Sequence, residues 1–203
     1  MMLIAEHFIL IAIDPATGIP VWPRWAPSGR FAAAALLLEL AILHRLELRD
    51  GLLHADAASP LSHALPKEAL HELAGRPQSI PDAIDLLERR LYPLEPKILE
   101  GLYYRDILHR VENRTWLLQR RVRYPLRSMQ ARNEALQHLR HTLHDTDDLH
   151  GFALLLLVET SGVLTRHLDA HEYAMATQHL LALNEAPDST RQIFAAVRAA
   201  LLD

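Results

Sequence analysis

The sequence predicts a mainly α-helical fold: a single-domain helical bundle around one buried central helix, with two short β-hairpins. The first observation behind this prediction is the stretch Ser28 to Leu48, the most apolar run in the chain. A helix that is apolar on nearly all sides must lie inside a bundle or inside a membrane. The second observation is the helical spacing of apolar residues in most other segments, and the third is two pairs of short strand-like runs.

The central stretch is too short and too polar for a membrane span. Crossing a bilayer takes about 20 apolar residues, whereas Glu39 interrupts this run and Arg45 follows it. Ser28 can cap the helix, and the residues from Arg30 to His44 are mostly strong helix formers. We therefore expect a buried bundle helix.

Composition sets the class of protein. The chain has 203 residues, half of them apolar, which is enough for a sizeable core in one domain covering residues 1–203. Its formal net charge of −4 offers no overall attraction to nucleic acid or to an anionic membrane, so such binding must come from a local patch. The absence of cysteine excludes disulfides and thiol chemistry. The apolar N-terminal run lacks the flanks of a signal peptide, so we expect a cytoplasmic protein.

The first half of the chain carries clear start and stop signals. Leu3 to Ile13 predicts a helix that Asp14-Pro15 ends, and Thr17-Gly18 completes a turn. Asp50-Gly51 lies between two short apolar runs, Leu46 to Arg49 and Leu52 to Ala55, which predicts a hairpin.

Further helices follow. Ser79 is a candidate cap, with Pro81 and Asp82 in the first turn of a helix that runs to about Leu91. A second hairpin is predicted around a polar centre at Glu112 to Arg114, and Pro125 ends it. The remaining predicted helical segments are Lys67 to Ala74, Lys97 to His109, Leu126 to His144, Phe152 to Val158, Asp169 to Leu183 and Arg191 to Leu202.

The segment before the central helix carries the main functional signal. Trp22, Arg24 and Trp25 lie between three prolines, just before a helix N-terminus whose free N–H groups favour an anion. Together with Arg30, they could bind a phosphate or lipid headgroup, with arginine as a donor fork and tryptophan as a stacking face. The alternative is that the tryptophans simply pack in the core at the helix end.

The second hairpin carries a separate signal. Trp116 and Leu117 adjoin Arg120, Arg121 and Arg123, so apolar residues could enter the acyl boundary while the arginines meet phosphates. The alternative is strand alternation, which would place Trp116, Leu118 and Val122 in the core with the arginines outward.

Neither a metal site nor a catalytic site is predicted. His138, His141 and His144 recur every three residues, which lets at most two of them share one ion, and His167 and His171 match no known ligand signature. No nucleophile motif or phosphate-binding loop occurs in the chain.

The order of these motifs resembles the Golgi phosphoprotein 3 family, whose bacterial members lack the long disordered tail of the eukaryotic ones. The similarity spans nearly the whole chain, and the order and spacing of five stretches carry it. They are AEHFILIAIDPATG, LLLELAILHRLEL, LPKEALHEL, WLLQRRVRYPL and IFAAVRAALL.

The resemblance implies a mostly helical domain without enzymatic activity or cofactor. Eukaryotic members of the family bind phosphatidylinositol 4-phosphate on Golgi membranes and retain glycosyltransferases there, and a projecting hairpin contributes to membrane contact and oligomerisation. The implied partners are therefore an anionic lipid headgroup, a second copy of the chain and a membrane-protein client. The implied location is cytoplasmic and peripheral to a membrane.

The family's lipid site maps onto this chain in part. Its loop tryptophan corresponds to Trp22 or Trp25, whereas the position of its arginine holds Ala33, with Arg30 one turn earlier. Its two basic residues on the mid-chain helix fall at Pro96 and Leu99, beside Lys97.

Our first hypothesis is a non-enzymatic adaptor that binds anionic lipid headgroups through Trp22, Arg24, Trp25, Arg30 and Lys97 and contacts the membrane with the Trp116 hairpin. A second hypothesis is a winged-helix-like nucleic-acid-binding protein, which the net acidity disfavours. Its phosphate contacts would come from Arg105, Arg110, Arg114, Arg120, Arg121 and Arg123. A third is a protein–protein scaffold that binds no small ligand.

Overall fold

The structure, a computed structural model, describes residues 2–21, 28–58, 60–114, 120–145, 147–183 and 188–203. Nine α-helices and two antiparallel hairpins form this described part of the chain, which confirms the mainly α-helical class. The helices are α1 (Ile4–Ala12), α2 (Ser28–Ile42), α3 (Ala64–Leu73), α4 (Ile80–Arg90), α5 (Leu94–Tyr104), α6 (Met129–His141), α7 (Leu149–Thr160), α8 (Ala170–Ala182) and α9 (Ser189–Leu202). The strands are β1 (Leu46–Arg49) and β2 (Leu52–Ala55) in the first hairpin, and β3 (Val111–Arg114) and β4 (Arg120–Arg123) in the second.

Helix α2 is the centre of the bundle, as predicted. Every residue from Phe31 to Ala41 is buried, and the helix packs against α1, α3, α4, α5, α7 and α9. The predicted helix-forming run from Arg30 to His44 extends two residues beyond the helix, because α2 ends at Ile42. Its end coincides with a left-handed turn, in which His44 has a φ of 53°, and the chain then enters β1.

The first hairpin forms where the Asp-Gly signal placed it. Asp50 and Gly51 both have positive φ, 51° and 75°, as a two-residue type I′ turn requires. Strand β1 pairs antiparallel with β2, with Leu46 opposite Ala55 and Arg49 opposite Leu52.

Side-chain caps set several helix starts. The Ser79 side chain accepts from the Asp82 N–H at the start of α4, as predicted. Asp169 caps α8 with the reciprocal help of Glu172, and Asp188 caps α9. Ser79 was predicted as a cap and Asp169 as the start of a helix, so local chemistry determines where these two helices begin.

Helix α5 differs from its predicted range of Lys97 to His109. It starts at Leu94, directly after Pro93, and ends at Tyr104. Asp106 then takes a left-handed φ of 61°, and the Ile107 N–H donates to the Leu102 carbonyl. This arrangement is a Schellman cap, which ends the helix one turn before the predicted boundary.

Two buried carboxylates cap α1 from within the protein. Glu39 of α2 accepts a hydrogen bond from the Ile4 N–H at 2.8 Å, and Glu6 accepts one from the Leu3 N–H at 2.9 Å. Glu6 also forms an ion pair with Arg105, at the end of α5. Burial raises the pKa of Glu39, while the hydrogen bond from Ile4 lowers it. The one acidic residue of the central helix therefore serves to hold α1.

A group of histidines lies where α1, α6 and α7 meet. The ring of His7 contacts that of His138 edge to face, with centroids 5.8 Å apart, and Nε2 of His138 lies 2.5 Å from a carboxylate oxygen of Asp148. Burial, with His138 nearby, lowers the pKa of His7 from 6.5 to about 4, although the Glu6 carboxylate opposes this shift. The pKa of His150 is lowered by the same two causes.

We expect acid to destabilise the protein partly through His7. The pKa of His7 is about 4 in the folded protein, below its usual 6.5, so its contribution to stability is complete above pH 6.5 and is lost as the pH falls towards 4. One such group changes the free energy of unfolding by at most about 1.4 kcal/mol per pH unit. Urea unfolding across this window should show a shallower pH dependence for His7→Gln than for the wild type. His171→Gln, which removes an exposed imidazole, is the control, and a His7→Gln slope equal to that of the wild type would contradict the assignment.

Candidate lipid-binding site

Arg30, in the first turn of α2, is held by the protein itself. Its Nη1 lies 2.5 Å from a carboxylate oxygen of Asp85 on α4, and its Nη2 donates to the Ala200 carbonyl on α9 at 2.9 Å. The guanidinium therefore joins three helices at the point where an anion site was expected. A phosphate at this position would compete with Asp85 for the same donors.

A second carboxylate also faces the start of α2. A Cβ added to Gly29 would lie 2.9 Å from a carboxylate oxygen of Glu88, so α4 packs closely against this turn. Burial raises the pKa of Glu88, whereas the positive charge of Arg30 lowers it. Helix α4 thus brings two acidic residues, Asp85 and Glu88, to the positive end of the α2 dipole.

The other residues of the predicted headgroup site are distributed differently. Trp22, Arg24 and Trp25 lie outside the described residues. Lys97 lies on α5, where its Nζ is 3.8 Å from a carboxylate oxygen of Glu68 on α3. Arg30 and Lys97 therefore pair with different helices, and Lys97 is the more exposed of the two.

The second hairpin forms as predicted, with a different turn position. Glu112 to Arg114 lie within β3 and pair with β4, so the predicted polar centre is part of a strand and not a turn. Trp116 and Leu117 lie outside the described residues. In this register Arg114 is opposite Arg120, and Asn113 is opposite Arg121. Arg123 is partly exposed opposite Val111.

Neither face of this hairpin is fully covered by the helical body. Val111 is 40% exposed and Val122 is 38% exposed. Directly opposed residues share a face of an antiparallel pair, and faces alternate along a strand. Because Val111 is opposite Arg123 and Glu112 is opposite Val122, the two valines lie on different faces. The alternative in which Val122 packs in the core is therefore wrong.

The base of the second hairpin is fixed to the turn after α1. The Leu126 N–H donates to the Pro15 carbonyl at 2.9 Å, and the His109 N–H donates to the Pro125 carbonyl at 2.8 Å. Gly18 has a φ of 65°, and a Cβ at this position would lie only 2.2 Å from the backbone of Tyr124. This close approach needs glycine, so the two segments are locked together.

Exposed aromatic residues lie near this base, which the sequence did not indicate. Tyr104, at the end of α5, is exposed, and its ring centroid is 5.4 Å from that of Tyr103. Burial raises the pKa of Tyr124, and Glu100 of α5 adds to the shift. Helix α5 therefore ends beside the hairpin base, with its tyrosines exposed.

The histidines singled out in the sequence have separate surroundings. His138 pairs with Asp148, His141 lies 3.7 Å from Asp145, and the ring of His167 contacts the Ile11 carbonyl. His144 and His171 are exposed. Within the described ranges, no group of three or more histidine or acidic residues could hold a metal ion.

The helical body and its second hairpin together define a class of protein: a helical bundle that carries an arginine-rich hairpin. The chain belongs to the Golgi phosphoprotein 3 family, because the family model described as Golgi phosphoprotein 3 (GPP34) matches residues 4–202. The resemblance of the five stretches is thereby confirmed over nearly the whole chain. Membership indicates an adaptor-like protein in a family that is not one of enzymes.

Two further findings concern this chain. No curated protein matches it. Each helix in the described part of the chain is too short or too polar to cross a membrane.

We expect Arg30 to contribute to stability. Arg30→Met removes the hydrogen bonds to Asp85 and Ala200, and it should lower the free energy of unfolding by about 1–3 kcal/mol. The ion pair of Lys97 with Glu68 is exposed and has a longer N–O distance, 3.8 Å. Lys97→Met should therefore change the free energy of unfolding by no more than about 0.5 kcal/mol. Urea unfolding measures both, and equal effects would show that Arg30 does not join the helices.

Gly18→Ala should disturb the base of the second hairpin. A side chain at this left-handed position would also overlap the backbone of Tyr124, so the expected loss of stability is about 2–4 kcal/mol. Gly51→Ala is the matched control, since Gly51 also has a positive φ but no atom within 4 Å of an added Cβ. Its expected loss is about 1–2 kcal/mol. Chemical denaturation compares the two, and a smaller loss for Gly18→Ala would refute the close packing.

Proposed function

We propose that the protein is a non-enzymatic adaptor that lies peripherally on a membrane, binds anionic, phosphoinositide-like lipid headgroups and holds a membrane-protein client there. The observation that carries the proposal is the second hairpin, whose two faces are both partly exposed on a rigid base. Membership of the Golgi phosphoprotein 3 family supports the adaptor role.

The distribution of charge along the chain favours the second hairpin as the part that contacts an anionic membrane. The segment from residue 110 to residue 123 contains five arginines and one glutamate, although the whole chain has a net charge of −4. Each basic residue near an anionic membrane contributes roughly 1 kcal/mol of attraction. The hairpin is therefore the part of the chain that an anionic surface would attract, while the acidic remainder is repelled.

The aromatic and apolar residues fit the same orientation. Val111 and Val122 are partly exposed on opposite faces of the hairpin, and Tyr103 and Tyr104 are exposed near its base. Tyrosine and tryptophan favour the depth of lipid headgroups, where a ring can be half immersed. Trp116 and Leu117, which lie between β3 and β4 in the sequence, would complete this proposed contact.

The headgroup site is the second part of the proposal. We propose that it consists of Trp22, Arg24 and Trp25, which precede α2 in the sequence, together with Arg30 in the first turn of α2 and Lys97 on α5. Since Asp85 and Glu88 lie near Arg30, Arg24 would be the main phosphate contact and Arg30 would contribute only by exchanging Asp85 for the ligand. The hairpin would supply most of the attraction, and this site would supply headgroup preference.

Vesicle sedimentation tests the proposal. Full-length protein is mixed with neutral phosphatidylcholine vesicles or with vesicles that also contain an anionic lipid, phosphatidylserine or phosphatidylinositol 4-phosphate. We expect binding to the anionic vesicles alone. Arg120→Glu with Arg121→Glu should weaken it at least about tenfold, because two attractive charges become repulsive.

The matched control reverses two arginines elsewhere. Arg76→Glu with Arg89→Glu makes the same charge change at exposed positions in and near α4, and it should retain more binding than the hairpin variant. Equal loss in both variants, or binding that ignores lipid charge, would reject the hairpin as the contact. Salt-sensitive binding to duplex DNA without vesicle binding would instead favour the nucleic-acid hypothesis. The ion pair of Arg105 with Glu6 removes one phosphate contact from that alternative.

A further inference from the structure

A polar cleft of about 540 Å³ lies between the first hairpin and the start of α9. It is lined by residues of the chain entering β1, by both strands of the hairpin and by the first turn of α9. Ser189, in this cleft, and Ala200, which contacts Arg30, are both on α9 and about 16 Å apart along its axis. The cleft is therefore a different site from the one at the start of α2.

Arg45 is the central cation of this cleft. Its side chain is only 17% exposed, and its Nη1 lies 3.9 Å from a carboxylate oxygen of Asp56, beyond hydrogen-bonding distance. Its Nε is buried and has no hydrogen-bond partner in the described part of the chain. Native proteins pair nearly all buried donors, because leaving one unpaired costs the full desolvation of that group. An acceptor from outside the chain would remove this cost.

The orientation of the Arg45 guanidinium indicates the kind of acceptor. Since Nη1 is the nitrogen that faces Asp56, the unpaired Nε lies on the other edge of the guanidinium, which it forms with Nη2. That edge presents two parallel N–H donors, the geometry that binds a carboxylate or a phosphate with two hydrogen bonds. A lysine at this position would keep the charge but lose the paired donors.

The surrounding groups favour an anion. Glu47, on the rim, is neutralised by Arg49, whose Nη2 lies 2.6 Å from its carboxylate oxygen. Asp56 is 61% exposed, so water screens its charge more than that of Arg45, whose side chain is 17% exposed. The hydroxyl oxygen of Ser189 lies 3.4 Å from the Leu48 N–H, from which it accepts, and its own hydrogen remains to be donated. The first turn of α9 adds the positive end of a helix dipole, although the capping carboxylate of Asp188 offsets part of it.

We propose that this cleft binds a soluble small molecule through a phosphate or carboxylate group. The oxyanion would accept two hydrogen bonds from the Nε–Nη2 edge of Arg45 and one from the hydroxyl of Ser189. His44 and His54, which also line the cleft, would supply further donors. Its volume leaves room for the body of a small molecule beyond the anionic group.

Titration followed by backbone amide NMR tests the proposal. Full-length protein is titrated with inorganic phosphate or with acetate, against chloride at matched ionic strength. We expect saturable shifts at Arg45, Ser189 and Thr190 with at least one of the two oxyanions and none with chloride, and the stronger response identifies the preferred group. Arg45→Lys should weaken binding at least about tenfold, because it keeps the charge and removes the paired donors.

The control is Arg49→Lys, which makes the same change at an exposed arginine of the same cleft. It should leave the dissociation constant within about twofold, since the exposed Arg49 already pairs with Glu47. Ser189→Ala provides an independent test if Arg45→Lys does not fold, and it should weaken binding severalfold. The proposal is overturned if neither oxyanion gives saturable shifts at these residues, or if the folded Arg45→Lys variant binds like the wild type. The proposal is also overturned if the Ser189→Ala variant binds the oxyanion like the wild type. Arg45→Lys should not alter sedimentation with anionic vesicles, and a loss there would assign the cleft to a lipid headgroup instead.

Discussion

The hydrogen bond from the Ile4 N–H to Glu39 is the contact on which the arrangement of this protein depends. Helix α1 begins inside the core, where water cannot reach its first N–H groups, and an uncapped buried helix end is costly. Glu39 projects from the central helix and supplies the acceptor at 2.8 Å. A carboxylate in the middle of an apolar helix therefore joins the two most buried segments in the first quarter of the chain.

This contact has an effect on a distant surface. Because α1 is fixed at its first residue by α2, the turn that follows it, from Pro15 to Gly18, has a fixed position. That turn holds the base of the second hairpin through the Leu126 N–H and through the close approach of Gly18 to Tyr124. The cationic strands at the surface are thus positioned by polar contacts that begin in the core.

Much of the fold could be predicted because its signals are local. Ser79, Asp169 and Asp188 cap the helices that follow them, and Asp50-Gly51 adopts the turn that its residue types favour. The end of α5 was missed because it depends on a left-handed Asp106, a conformation that few residues other than glycine adopt. The exposure of Val122 was missed because alternation shows that a strand has two faces without showing whether the body covers either one.

The candidate sites were harder to predict than the fold, because they depend on residues far apart in sequence. Arg30 meets Asp85 and Ala200, which lie 55 and 170 positions away, so the sequence showed a cation near a helix start but not that the protein already pairs it. The unpaired Nε of Arg45 has no sequence signal at all, since it results from the way β1 and α9 enclose the side chain.

The seating of Gly18 against Tyr124 has a consequence for how the molecule would lie on any flat partner. If a hairpin is joined to the bundle by a flexible linker, the bundle can reorient after the hairpin has bound. If the base of the hairpin is fixed to the bundle, the orientation of the bound hairpin also sets the orientation of every helix. Once the two strands are held, the tilt and azimuth of the whole bundle are set. The side of the bundle opposite the hairpin would then face the solution in a fixed orientation.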